Sequence, residues 1–87
     1  MRGRPPEFPT PFQISVLKYV AEYRQLHPGY GPALRETAQA LGVGFGSVQF
    51  AFEMLVRFEL LTRDPSIARS SMLTHQGATF LETQRIA

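Results

Sequence analysis

At 87 residues the chain has room for one domain and one modest core, burying roughly two-thirds of its unfolded surface. A hydrophobic content of 44% excludes wholesale disorder, and the absence of cysteine excludes disulfides and thiolate metal sites. The formal net charge of +2, carried by eight arginines and Lys18 against seven acidic residues, is compatible with a nucleic-acid partner but does not demand one.

The chain opens on a proline-rich arm. Pro5, Pro6, Pro9 and Pro11 fall in the first eleven residues together with Arg2 and Arg4, which keeps this backbone extended and outside a core. Residues 1–9 are read as the arm and 10–87 as the folded domain. Within the arm, Arg2-Gly3-Arg4-Pro5 resembles the core of an AT-hook. The resemblance implies that this stretch lies along a narrow A·T minor groove. Glycine lets the backbone approach the groove floor, proline holds it extended, and the arginines seek the negative potential there. The plainer reading is a tail that carries two arginines.

Thr10-Pro11-Phe12-Gln13 predicts a helix start: Thr10 as cap, Pro11 at the first helical position, and Gln13 completing a capping box. The helix is expected to reach Leu26. Phe12, Val16, Tyr19, Val20 and Tyr23 form its core stripe, with Ile14, Leu17 and Ala21 alongside, while Lys18 and Glu22 face solvent. His27-Pro28-Gly29-Tyr30-Gly31-Pro32 reads as a loop in which His27 is exposed and has no ligand partner.

Leu34, Ala38 and Leu41 lie on one face of a second helix. Ala33 stands where a serine or threonine cap is expected, which weakens the start by roughly 1 kcal/mol unless another group caps it. Glu36 compensates in part through the helix dipole, and Thr37 is polar where an apolar side chain would pack. Gly42 marks a left-handed stop, and Val43 plugs the turn. A third helix is expected from just after Gly44 to near Phe58, with Val48, Ala51, Phe52 and Leu55 inward. Ala-x-x-Leu-Gly-Val-x-x-x-x-Val, from Ala38 to Val48, is the spacing of a helix-turn-helix.

The outward stripe of the third helix is Gly46, Phe50, Glu53 and Arg57, flanked by Ser47 and Gln49. Glu53 and Arg57 are spaced to pair. In a DNA-reading helix the first turns meet bases, here Phe45, Gly46, Ser47, Gln49 and Phe50. Gln49 can hold an adenine through two hydrogen bonds, and Ser47 can reach a phosphate or a base. Phe50 has three readings: contact with a thymine methyl, a protein-binding hot spot, or packing against the hairpin or the arm.

Leu60-Leu61-Thr62-Arg63 and Ser70-Ser71-Met72-Leu73-Thr74 read as two strands joined by the turn-bearing Asp64–Arg69 loop. Arg63 and Arg69 flank this hairpin, either carrying charge to a phosphate backbone or simply solvated. Thr74 then caps a last helix with Ala78 and Leu81 on one face, Arg85 or Ile86 on or beside it, and Phe80 and Glu82 between. This helix either covers the core or pairs with a second copy. The fold class is therefore mostly α with a small β-hairpin: a winged helix-turn-helix with a three-helix core, a two-stranded wing and a C-terminal helix.

Residues from about 10 to 73 resemble the N-terminal DNA-binding domain of the LexA repressor family. The matching pieces are Thr10-x-x-Gln13-x-x-Val16-Leu17-x-x-Val20, Gly29-Tyr30-x-Pro32-x-Leu34-Arg35-Glu36-x-Ala38, Ala40-Leu41-Gly42, Leu55, Leu60-Leu61-x-Arg63-Asp64-Pro65 and Arg69. Leu73-Thr74-x-x-Gly77 is similar to the wing-to-helix junction of MarR-type regulators. The chain departs from LexA at Val43–Val48, which is shorter and lacks the polar run, at Ala33, and at Glu59 in place of the glycine before Leu60. The family's operator preference is therefore not carried over. Its peptidase domain is not expected in this sequence either, since the only lysine, Lys18, lies in the first helix and no serine–lysine dyad follows.

The resemblance implies a regulator, a repressor by analogy, that binds double-stranded DNA. The expected contact set is Arg2, Arg4, Arg35, Phe45, Gly46, Ser47, Gln49, Phe50, Glu53, Arg57, Arg63 and Arg69. Homodimerisation on a two-fold site would suit such a domain. The alternative is a winged-helix adaptor that meets a protein of the transcription machinery, phage-encoded for example, through the Phe50 face. No enzyme is expected: cysteine, a His–carboxylate cluster and a phosphate-cradling loop are all missing, and Gly42–Gly46 does not follow dinucleotide-binding spacing. No cofactor, metal or membrane is called for. With no long apolar run and no signal peptide, a cytoplasmic, nucleoid-associated protein is the expectation.

Overall fold

Thr10 starts the first helix as its spacing predicts. In the computed structural model, which describes residues 9–86, Thr10 Oγ1 accepts the Gln13 N–H at 3.1 Å and Gln13 Oε1 accepts the Thr10 N–H at 3.0 Å. Helix α1 (Pro11–Leu26) turns Gln13, Val16, Leu17 and Val20 inward. The expected stripe is thus corrected: Tyr19 and Tyr23 are half-buried at its rim. The inward face follows the 13–16/17–20 spacing, and Tyr23 instead directs its hydroxyl to Glu36.

Helix α2 (Leu34–Leu41) has no side-chain cap, because alanine offers no acceptor. Glu36 Oε1 accepts the Ala33 N–H at 3.2 Å, so half of a capping box survives. Thr37 is fully buried and polar, yet satisfied: its hydroxyl donates to the Ala33 carbonyl at 2.9 Å. Gly42, at φ 69, ends the helix in the left-handed region. The Val43 N–H returns to the Ala38 carbonyl and the Gly42 N–H to that of Gln39, which is a Schellman motif. Its usual apolar contact explains Val43, which packs partly buried against the core.

The chain turns through 113° between α2 and helix α3 (Phe45–Arg57). Val48, Ala51, Phe52 and Leu55 are buried, as expected. A second Schellman motif closes α3: the Leu60 N–H bonds to the Leu55 carbonyl and the Glu59 N–H to that of Val56. Glu59 itself stands at φ 63.

Strands β1 (Leu61–Thr62) and β2 (Met72–Leu73) pair antiparallel, Leu61 with Leu73 and Thr62 with Met72. They are shorter than the expected four- and five-residue strands because other bonds replace the ladder. The Ser70 hydroxyl serves both the N–H and the carbonyl of Asp64, and the Arg69 carbonyl accepts the Gly31 N–H.

Helix α4 (His75–Ile86) is capped by Thr74, whose Oγ1 accepts the Gly77 N–H at 2.9 Å and donates to the Glu59 carbonyl at 2.6 Å. Gly77 and Leu81 face inward, with Phe80 partly buried, whereas Ala78 is exposed, which corrects the expected face. The reason is close approach: a side chain at 77 would run into the Leu60 carbonyl. Leu81 joins Val16, Leu17, Val20, Phe52, Leu55 and Leu61 in the core, so α4 covers it.

The described residues thus form four helices with a two-stranded antiparallel sheet. No single helix among the described residues is long and apolar enough to cross a membrane. Arg2 and Arg4, and the side chains of Arg85 and Ile86, lie outside what is described.

Candidate nucleic-acid interface

Burial of Val48, Ala51, Phe52 and Leu55 sends the opposite side of α3 to solvent. Gly46, Ser47, Gln49, Phe50, Glu53 and Arg57 are all exposed. Gln49 and Ser47 make no side-chain hydrogen bond within the described residues, so their donors and acceptors are open to a partner. Gly44 precedes the helix without a side-chain cap, which leaves the positive end of its dipole unneutralised. Glu53 and Arg57 do not form the pair their spacing predicts; among the described residues the ion pair is Arg69–Glu36. Phe50 is 59% exposed and stands outside the core, so it does not pack under the hairpin, while packing on the arm falls outside the described residues. Phe45 is also exposed, with the Arg35 guanidinium 5.5 Å from its ring centroid.

The two hairpin arginines part ways. Arg63 is half-buried, with its guanidinium 5.7 Å from the Phe52 ring centroid. Arg69 stays exposed but does not stand free for phosphate, because it is held by neighbouring elements. It reaches Glu36 Oε1 at 2.9 Å, the Tyr23 hydroxyl at 2.8 Å and the Gly31 carbonyl at 3.4 Å, and it also lies 5.7 Å from the Tyr30 ring centroid. Its own backbone is left-handed, at φ 58.

The Tyr23 hydroxyl donates to Glu36 Oε2 at 3.2 Å, so Tyr23, Glu36 and Arg69 form one cluster across α1, α2 and the hairpin loop. Within it, burial pushes the Glu36 carboxyl up, but the Ala33 N–H, the Arg69 guanidinium and the Tyr23 hydroxyl outweigh this and hold it below its usual value. The Tyr23 phenol is pushed up, first by burial and then by the Glu36 carboxylate. The hydrogen bond to Glu36 raises Arg69 further above neutrality.

Beside this cluster, His27 is not the exposed loop residue expected. It is half-buried, with ring centroids 4.2 Å from Tyr23 and 5.5 Å from Tyr30. Arg24 adds a further link, donating to the Ser71 carbonyl at 3.0 Å.

Of the expected contact set, the structure brings the α3 residues to one face and Arg35 to Phe45, and it draws Arg69 into the cluster. Sequence reasoning missed Tyr23, Arg24 and Tyr30 as the fastening of the hairpin. No spacing could have signalled them, because the partners sit in separate elements. Compared with known proteins, the chain matches no family model and no curated sequence.

Proposed function

We propose that the chain is a DNA-binding transcription regulator with a winged helix-turn-helix, of the kind its likeness to the LexA N-terminal domain implies. In this reading α3 enters the major groove and the hairpin approaches the backbone, while the Arg2-Gly3-Arg4-Pro5 arm follows the minor groove. The observation that supports it is the presentation of α3: a three-residue turn and a 113° change of direction set its first turns outward, with Ser47 and Gln49 unengaged. Arg35, Arg57 and Arg63 supply the phosphate contacts. Arg69 takes a positioning role, since its charge is already met by Glu36. The protein is read as a binding module and not as an enzyme.

A second reading rests on Phe50 and Phe45, two large apolar side chains exposed on the same helix. They suit a protein partner in the transcription machinery. Fluorescence anisotropy of a labelled A·T-containing duplex, repeated across a salt series, separates the two. Micromolar or tighter binding that falls steeply with salt, and weakens when Arg57 or Gln49 is replaced by alanine, is the expected result. No binding at low salt would exclude the DNA reading and leave Phe50→Ala as the variant to test against protein partners.

A further inference from the structure

Between the hairpin loop, the start of α2 and the first turns of α3 lies a cleft of about 280 Å³. Arg35 and Arg63 line it from opposite elements. Neither has an ion-pair or hydrogen-bond partner among the described residues, and each guanidinium lies near a phenyl ring of α3. A guanidinium set over a ring keeps its N–H edge for an anion. Ala33, on the same wall, brings no acceptor to the first-turn N–H groups of α2.

Ser71 closes the wall beside Gly31. It lines the same cleft and is 3% exposed, and its Oγ is the buried side-chain polar atom without a hydrogen-bond partner among the described residues. Asp64 also lines the cleft and keeps its negative charge, since Oδ1 accepts only from the neutral Ser66 N–H at 3.0 Å and hydroxyl at 2.7 Å; the two guanidiniums of Arg35 and Arg63 outnumber it. Phe45, Pro65 and Ile67 give the wall an apolar part, beside Arg69 and Ser70.

We propose that this cleft binds a small organic acid. Its carboxylate meets Arg35 and Arg63 at the start of α2, in the place of the cap that Ala33 lacks, and its apolar ring lies against Phe45, Pro65 and Ile67. The site has the make-up of small-molecule pockets, an apolar wall with a few convergent polar groups. It stands whether α3 meets DNA or protein, because binding is read on the free chain.

The test is a ¹H–¹⁵N NMR titration of the full chain with 1-naphthoate, against the neutral 1-naphthalenemethanol and inorganic phosphate. Saturable shifts at Ala33, Leu34, Arg35, Arg63 and Ser71 are expected, with both controls at least about tenfold weaker. Arg35→Gln and Arg63→Gln should each weaken naphthoate by about tenfold. If Arg63→Gln loses its dispersed spectrum through its place beside Phe52, Arg35→Gln, whose side chain is exposed, carries the test. Equal binding of the alcohol would reduce the cleft to an apolar patch, and equal binding of phosphate to a bare anion spot. Shifts confined elsewhere, or no saturation at millimolar ligand, would overturn the proposal as well.

Discussion

At φ 63, Glu59 adopts a conformation that costs an L-residue about 1–2 kcal/mol and that glycine takes freely. It does so because it follows the C-cap of α3, where the Schellman bonds of Leu60 and of Glu59 itself require a left-handed residue. Its side chain makes no hydrogen bond among the described residues; only its backbone is used, the N–H by Val56 and the carbonyl by Thr74. Glu59→Gly should therefore stabilise the fold by about 0.5–1 kcal/mol once glycine's extra chain entropy is set against the relieved strain. At ~4–8 °C per kcal/mol, thermal melting resolves that change. Glu59→Val should lower the midpoint, and a rise for valine would mean that the backbone is not held left-handed. No local spacing marks this position as left-handed. A glutamate before two leucines has no turn chemistry of its own. Arg69, also left-handed, carried no signal at all, since its conformation is bought by side-chain bonds to residues 33 and 46 positions away.

Elements whose signals are local could be read closely. The Thr10 capping box, the 34–38–41 spacing with Gly42 after it, and the 48–51–52–55 stripe each depend on residues within two turns, and each formed as spaced. The strands were read too long because their pairing competes with contacts from elsewhere: Ser70 closes the loop on Asp64, and Gly31 takes the Arg69 carbonyl. The inward face of α4 was misplaced by one residue for a similar reason. Gly77 carries no hydrophobic signal, yet it is the point where the helix rests on the Leu60 carbonyl, with the Thr74 N–H bonded to that same oxygen at 3.2 Å. Gly77→Ala should cost about 1–3 kcal/mol, as overpacking at a backbone contact does, although alanine is the better helix former. The exposed Ala78→Gly change should cost only the helix-propensity difference, about 1 kcal/mol. Urea unfolding of the two variants compares them directly, and an unchanged midpoint for Gly77→Ala would show that α4 is not seated on Leu60.

Across the whole molecule, the cluster of Tyr23, Glu36 and Arg69 fastens the hairpin loop to α1 and α2, and it therefore sets where Arg63 and the neighbouring cleft stand relative to α3. Glu36 was read in the sequence as compensation for a helix dipole. It is also the carboxylate that holds Arg69. Because its folded pKa lies below its unfolded value, the cluster contributes stability that is present above the ordinary carboxyl range, about pH 4.3, and is lost as pH falls through the depressed value. Arg69 stays charged throughout, so the acid limb belongs to Glu36. The melting temperatures of the wild-type chain and Glu36→Gln should differ most at neutral pH and converge as the solution is acidified. With side chains more than a third exposed, the pair is screened by salt, so the gap at neutral pH should also narrow between low and high ionic strength. Parallel melting curves across the acid range would mean that Arg69 is held by Tyr23, Tyr30 and the Gly31 carbonyl alone. The loop would then keep its place without the ion pair, and Glu36 would matter only at the start of α2.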